Sequence, residues 1–260
     1  MLKNAPLRRA LCLLACVAPM IGVPPARSAE DAKPRYVVMS IIGDQLLVFF
    51  QRGVGSHIDQ NVRKNVPIRD ATLDNFALLA VDDAIRQRRP KATAVLMTSR
   101  DATLLEQQEQ LSERPAEAAQ WLAPVKEVLQ KTQAPRLILV SKARADASFA
   151  LVEGKTGSGK LSGLGFYIDQ EKRLQVVETG NSEAGFIAPY AYLSVSLIDV
   201  PTMSVIRQKR VTESTIVPTA QSRDALRPWD AMTAQEKTDA IERLIRRAID
   251  RAMPELLTAE

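Results

Sequence analysis

Cysteine and histidine are almost absent from this sequence of 260 residues. The two cysteines, Cys12 and Cys16, lie close to the start of the chain, and His57 is the single histidine. Beyond residue 16 there is no thiol for a disulfide, for nucleophilic catalysis or for a Cys-ligated zinc or iron–sulfur site. One histidine also excludes a multi-histidine metal site. We therefore predict no metal and no other cofactor.

The sequence also lacks an apolar run long enough to cross a membrane as a helix. Residues 10–23 are apolar and uncharged but number about 14, against the roughly 20 that a transmembrane helix needs. Lys3, Arg8 and Arg9 precede this run, and the small residues of 26–29 follow it. This order is typical of a secretory signal peptide, so we predict that residues 1–29 are removed from a periplasmic or secreted protein.

Two alternatives for the N-terminal segment stay open. In one, the segment is retained as a membrane anchor, although prolines interrupt it. In the other, a lipid is attached at Cys16, which follows Leu13-Leu14-Ala15 as in a bacterial lipoprotein signal. The apolar part before Cys16 is short for such a signal.

An excess of positive charge is missing from the rest of the chain. The first 29 residues hold four of the 35 Lys and Arg residues and none of the 30 Asp and Glu residues. The net charge is +5 for the whole sequence and +1 for the remainder. A chain so close to neutral has no general basic surface for nucleic acid or anionic membranes, and we predict no nucleic-acid partner.

Strand and helix patterns alternate after a short polar tail at 30–34. Short apolar, β-branched runs predict strands, and 3.6-residue periodicity predicts helices, the first of them capped by Asp70. Gly43-Asp44 predicts a type II′ hairpin turn between the first two strands, and 53–65 is interpreted as a loop. The predicted strands lie at 35–42, 45–50, 93–97 and 136–140, and the predicted helices begin near 70, 102 and 115.

The second part of the sequence is rich in strand patterns. Pro201-Thr202 predicts a hairpin between strands at 191–200 and 204–211, and 161–169 predicts another strand. The helix pattern at 233–252 opens with a capping-box spacing, Thr233 and Glu236, and its arginines predict a solvated face or a contact with a partner or lipid. We predict one α/β domain over 35–260, with a central mixed sheet, flanking helices, a β-rich second half and a C-terminal amphipathic helix.

Residues 154–160 match the G-x-x-x-x-G-K part of a phosphate-binding P-loop. The motif requires Ser or Thr next, to bind Mg²⁺, but Leu161 stands there. It also requires a helix, whose N-terminus faces the phosphates, whereas the residues after Lys160 predict a strand. A hairpin loop is the favoured interpretation, and no nucleotide partner is predicted.

His57 is the one candidate for imidazole acid–base catalysis. Ser56 and Asp59 beside it supply the residue types of a nucleophile–base–orienter triad. Since neighbouring residues rarely point at one another, Asp44 is the better orienter, with Ser56 or Ser99 as the nucleophile. A hydrolase is therefore one hypothesis, and a solvated loop histidine is the other interpretation.

Polar residues also follow the predicted strands where these end. They include Asp44, Ser99 with Arg100, and Ser141 with Lys142. In open α/β sheets, ligands bind beyond the carboxyl ends of parallel strands. These residues predict a small-anion site that uses the charges of Arg100 and Lys142, unless they are ordinary loop and capping residues.

Residues 191–211, with the sequence AYLSVSLIDVPTMSVIRQKRV, are followed by a loop and the terminal helix. A strand ending in Leu-Ile-Asp that turns into a Val-Ile strand resembles the curli secretion-channel family and the lipoprotein activators of penicillin-binding proteins. In these families an α/β domain precedes such a hairpin. Asp199 is the one polar position that matches. The resemblance implies a non-enzymatic accessory role in the bacterial envelope.

The favoured hypothesis is an exported envelope protein that binds or assists a partner and does not catalyse a reaction. The partner is an unidentified envelope protein or small ligand. A periplasmic hydrolase using His57, and a sensor of small anions, are the alternatives.

Overall fold

A computed structural model describes residues 35–51, 62–151, 154–175, 182–218 and 228–258. The helices in these ranges are Thr72–Arg88 (α1), Ala102–Glu113 (α2), Ala118–Trp121 (α3), Lys126–Lys131 (α4) and Ala234–Leu257 (α5). The strands are Arg35–Ser40 (β1), Gln45–Gln51 (β2), Val62–Pro67 (β3), Thr93–Thr98 (β4), Arg136–Lys142 (β5), Arg144–Asp146 (β6), Phe149–Leu151 (β7), Gly154–Thr156 (β8), Lys160–Gln175 (β9), Ser182–Asp199 (β10), Ser204–Ser214 (β11) and Val217–Pro218 (β12).

One mixed sheet of ten strands forms the centre of the fold. Seven strands follow the order β3-β2-β9-β10-β5-β1-β4, β11 and β12 also pair with β10, and β6 pairs with β9. Strands β7 and β8 form a separate pair. Parallel and antiparallel pairs occur together, which confirms the predicted mixed α/β fold class. Lys33–Glu260 group into one compact unit.

The long strand β10 connects two regions of this sheet. Along one edge of β10, the residues up to Tyr192 pair with β9, and Leu193–Asp199 pair with β5. Strands β5 and β9 therefore lie end to end. We call β5, β1 and β4 the helix-covered half of the sheet, β9, β2 and β3 the strand-covered half, and the line where they meet the junction.

The predicted hairpin between β1 and β2 is wrong. Strand β1 pairs with β4 and β5, whereas β2 pairs with β3 and β9. Both strands run antiparallel to β10, so the chain keeps its direction as it crosses the junction at Ile41–Asp44. Gly43, with φ of 73°, provides the local bend. Ile41 N donates to Val140 O at 3.0 Å, and Ile68 N donates to Asp44 O at 2.6 Å, which fixes the crossing to both halves.

The loop interpretation of 53–65 is also corrected in part. Residues 62–65 belong to β3, which pairs with β2 at one edge of the sheet. Most of β3 is exposed, which is why its polar sequence lacks the alternation of a half-buried strand. Residues 52–61 lie outside the described residues.

Three apolar clusters fill the layers around the sheet. The largest lies between the sheet and helices α1 and α5 and takes side chains from both halves. On the opposite face, the second cluster joins the helix-covered half to α2, α3 and α4 through aliphatic residues. The third joins the strand-covered half to the segment β6–β8 and contains most of the buried aromatic rings.

The helix ends show one confirmed and one wrong prediction. Thr233 and Glu236 form the predicted capping box at the start of α5, and the predicted apolar stripe of this helix is buried. Asp70 does not cap α1. The N-cap position belongs to Ala71, and both residues have left-handed backbone conformations. No helix in the described residues is long and apolar enough to cross a membrane.

Candidate functional site

An open cleft of about 200 Å³ lies at the junction, beyond the carboxyl ends of β1 and β4. These strands are parallel neighbours, with Ser40 beside Thr98, so the segments that follow them emerge at the same edge. This is where ligands bind in open α/β sheets. The lining residues are Gly43, Asp44, Ala71, Asp74, Thr98, Ser99, Arg100 and Leu105.

Asp74 is the most constrained polar group of the cleft. It lies in the first turn of α1 and is only 4% exposed. Its Oδ1 accepts hydrogen bonds from Ser40 Oγ at 2.6 Å and from Gly43 N at 3.3 Å. Burial raises the pKa of Asp74, while these donors and the charge of Lys142 act in the opposite direction. The carboxyl group is therefore held in one orientation.

Lys142 lies at the junction but is not a lining residue of the cleft. Its backbone N donates to Gln108 Oε1 at 2.9 Å. A Cβ added to Gly163 would lie 2.5 Å from Lys142 Cδ, so the lysine side chain extends across that glycine. Burial lowers the pKa of Lys142, and the nearby acids Asp74, Glu109 and Asp44 oppose that shift. The positive charge is thus already compensated within the protein.

The segment after β4 brings Ser99 and Arg100 to the rim of the cleft. Asp101 caps α2, since its Oδ1 accepts a hydrogen bond from Leu104 N at 3.0 Å, and its own N donates to Ser99 Oγ at 3.2 Å. Arg100 is exposed. Ser141, in contrast, is buried in β5 and does not line the cleft.

The residues of the hydrolase hypothesis are only partly described. Asp44 is exposed and lines the cleft. His57 and Ser56 lie outside the described residues, so their distance from Asp44 or Ser99 is not defined, and the hydrolase stays a prediction. Within the described ranges, no group of three or more His, Cys, Asp or Glu side chains is placed to hold a metal ion.

Sequence reasoning missed Asp74 and Ser40. The available signal was the second apolar row of α1, because Asp74 occupies the same helix face as Leu78, Val81 and Ile85, all of them buried. An acid on a buried helix face requires a partner. Ser40, at the end of β1, is that partner.

The residues that match part of a P-loop do not form one. Gly154–Thr156 are β8, and Lys160 begins the long strand β9. A strand therefore follows the glycines, as predicted, and the helix N-terminus that a phosphate would need is not at this position.

The arginines of α5 contact other parts of the protein. Arg246 pairs with Glu242 on the same helix and with Asp83 on α1. Arg247 and Arg251 both pair with Glu213, a buried acid on β11. These contacts account for three of the arginines that the sequence assigned to a solvated or partner-binding face.

Comparisons with known proteins give structural similarities of low score. No protein-family model matches the chain, and no curated protein matches it in sequence. Protein XCC0632 from Xanthomonas campestris, of the family DUF330, is 9% identical, with 88% of this chain and 89% of that chain covered and a TM-score of 0.35.

Two further solved structures are similar at the same level. The PelC dodecamer from Paraburkholderia phytofirmans is 8% identical, with coverage of 84% and 87% and a TM-score of 0.31. A putative neuraminyllactose-binding hemagglutinin homolog from Helicobacter pylori is 8% identical, with coverage of 87% and 86% and a TM-score of 0.33. Scores this low carry no argument about function. The resemblance to the curli and activator families stays a prediction.

Proposed function

We propose that this chain is an exported binding or accessory protein of the bacterial envelope and that it holds a small polar ligand in the junction cleft without catalysing a reaction. Export is supported by the charged start, short apolar run and small residues of 1–29. The binding role is supported by the geometry of the cleft at the carboxyl edge of the parallel strands β1 and β4.

The observation that carries this proposal is the fixed carboxyl group of Asp74. Its hydrogen bonds to Ser40 and Gly43 orient it within a cleft that stays open to solvent. Ser40 is fully buried and donates its hydroxyl hydrogen to Asp74, and Ser99 already accepts from Asp101 N. Groups held by such bonds provide fixed points for recognition, which is how small-ligand sites obtain specificity.

The charges around the cleft favour a ligand that carries both signs. Two acids, Asp44 and Asp74, line the same space as the guanidinium of Arg100. A cleft of about 200 Å³ is smaller than the ~300–1,000 Å³ of typical ligand pockets. We therefore propose a small zwitterion, with an amine for the acids and a carboxylate for Arg100.

Calorimetric titration of a panel containing an α-amino acid, a diamine and inorganic phosphate tests this proposal. We expect the amino acid to bind, and both Asp74→Asn and Arg100→Ala to weaken its binding by about tenfold or more, because each removes a charged contact. Arg144→Ala is the matched control, since this exposed arginine lies on β6. No binding by any panel member would contradict the ligand proposal.

A small-anion sensor is the second candidate, favoured by the position of Arg100 and Ser99 in the lining. It predicts phosphate binding that Arg100→Ala abolishes and Asp74→Asn leaves intact. Hydrolysis of a small ester that depends on His57 would instead support the hydrolase and contradict a purely binding role.

Location and partners require experiments on intact cells. The N-terminus of the protein in the periplasmic fraction should begin near residue 30, and labelled fatty acid should be incorporated only if Cys16 is lipidated. Crosslinking in intact envelopes should enrich a protein partner if the role is accessory. A chain found only in the cytoplasm with its first residues intact would contradict export.

A further inference from the structure

The outer strands of the sheet differ in how they are protected. An exposed strand edge is a template for pairing with another chain, and charged residues or proline usually prevent this. Strand β3 carries Arg63 and Lys64 and ends at Pro67, and β11 carries three basic residues. Strand β4, at the other end of the strand order, has the sequence TAVLMT, with neither charge nor proline.

Strand β4 is also exposed on both of its faces. Val95 is 41% exposed and Leu96 is 38% exposed, although successive residues of a strand point to opposite faces. Among the described residues, β4 pairs with β1 alone. Its second edge is therefore open in this part of the structure.

We propose that β4 pairs with β4 of a second copy of this chain, in an antiparallel arrangement that joins the two sheets across a twofold axis. Opposed residues in an antiparallel pair point to the same face, so only registers that oppose residues of equal parity are possible. With Leu96 on the axis, Leu96 faces Leu96 of the second copy, and Val95 faces Met97.

Charge complementarity selects this register and a second copy as the occupant. Continuing the Leu96-centred register outward places Lys91 opposite Asp101 of the second copy, and the twofold axis forms this pair twice. Shifting the register by two residues places Thr93 or Ser99 opposite one of these charges instead. Both side chains are on the page as accessible groups, since Lys91 is exposed and Asp101 uses only Oδ1 for the cap of α2.

The mass of the purified protein in solution tests the proposal first. Sedimentation equilibrium should give twice the mass of one chain, and Leu96→Lys should weaken self-association by about 100-fold, because it opposes two like charges on the axis. Ile206→Lys on β11 is the matched control, since Ile206 is 39% exposed and lies away from β4. A protein that is monomeric at every concentration, or a dimer that Leu96→Lys leaves intact, overturns the proposal.

A double substitution tests the register through its charges. Lys91→Glu should weaken the dimer by about tenfold, because it opposes two acids. Adding Asp101→Asn should restore most of the loss, since asparagine is as good an N-cap as aspartate but carries no charge. No rescue by Asp101→Asn would overturn this register.

Cysteine crosslinking provides an independent readout. With Cys12 and Cys16 replaced by serine, Leu96→Cys should form an intermolecular disulfide, because residues opposed on the axis lie about 5 Å apart. Val95→Cys should not, since the two copies of residue 95 lie on a diagonal of about 7–8 Å. Crosslinking by Val95→Cys and none by Leu96→Cys would overturn the proposal.

Discussion

On the face opposite α1 and α5, helices α2–α4 cover the helix-covered half of the sheet, whereas the short strands β6–β8 cover the strand-covered half. The side chains between the layers differ accordingly. Val37, Leu137 and Leu139 are typical of the first cluster, and Phe49, Tyr167 and Phe186 of the second. A thin covering segment brings few apolar side chains of its own, so large rings on the sheet fill the space.

The tyrosines of the strand-covered half have a second role. Tyr192 donates its hydroxyl hydrogen to Asp146 O at 3.3 Å, and the Tyr167 hydroxyl oxygen accepts from Ser158 N at 3.1 Å. Both rings are buried, and both hydroxyls reach the backbone of the segment that covers them. Rings with a polar end can thus hold irregular backbone against the sheet, which aliphatic side chains cannot do.

The largest expected effect tests whether the strand-covered half depends on its rings. Phe49 is fully buried and stacks on Tyr167 with the ring centroids 5.3 Å apart. Phe49→Ala should lower the free energy of unfolding by about 4 kcal/mol, and Phe49→Leu by about 1.5 kcal/mol, measured by urea denaturation. If Phe49→Leu is as stable as the wild type, an aliphatic side chain suffices and the contrast between the halves fails.

The next effect tests how closely two strands approach in the same half. A Cβ at Gly165 would lie 1.9 Å from Leu47 O on the neighbouring strand. Gly165→Ala should lower the free energy of unfolding by about 3 kcal/mol, because the backbone must shift. Gly154→Ala is the control, since its Cβ meets nothing within 4 Å and only its φ of 106° is unfavourable, for about 1 kcal/mol. Equal losses would contradict the close approach.

A smaller effect concerns α5, which covers both halves. Glu213 is buried, and Arg247 Nε donates to its Oε2 at 2.8 Å. Glu213→Gln should lower the free energy of unfolding by about 2 kcal/mol, less than for a fully buried pair because both arginines are partly exposed. Arg251→Ala should cost less than about 1 kcal/mol. A larger loss for Arg251→Ala than for Glu213→Gln would contradict this assignment.

The smallest effect concerns the polar junction beside the helix-covered half. Because burial raises the pKa of Asp74, the folded state holds this proton more tightly than the unfolded state does. The free energy of unfolding should therefore fall as the pH rises from the ordinary pKa of 3.8 through the raised value. Asp74→Asn removes this fall, so its stability relative to wild type should increase between about pH 4 and about pH 7. Parallel pH profiles would contradict the raised pKa.

Local patterns predicted the elements well where they carry their own signals. Pro201-Thr202 marked the β10–β11 hairpin, and Thr233 with Glu236 marked the start of α5, because turns and caps depend on a few adjacent residues. The strand-end prediction also brought Asp44, Ser99 and Arg100 to one cleft. Parallel strands share an edge, so this convergence follows from strand order alone.

What the sequence could not indicate depends on pairing between distant strands. Gly43-Asp44 shows where the chain bends, but its direction after the bend is set by β10, about 150 residues later. The buried state of Asp74 likewise depends on Ser40, a distant residue that β1 places beside α1. The pattern of α1 alone predicts a solvated acid at the start of a helix.

Strand β10 has a consequence for cooperativity. Its residues up to Tyr192 pair with β9 and those from Leu193 with β5, so neither half of the sheet can separate without breaking the same strand. The whole unit should therefore unfold in a single transition, with the backbone amides of β10 among the slowest to exchange with solvent deuterium.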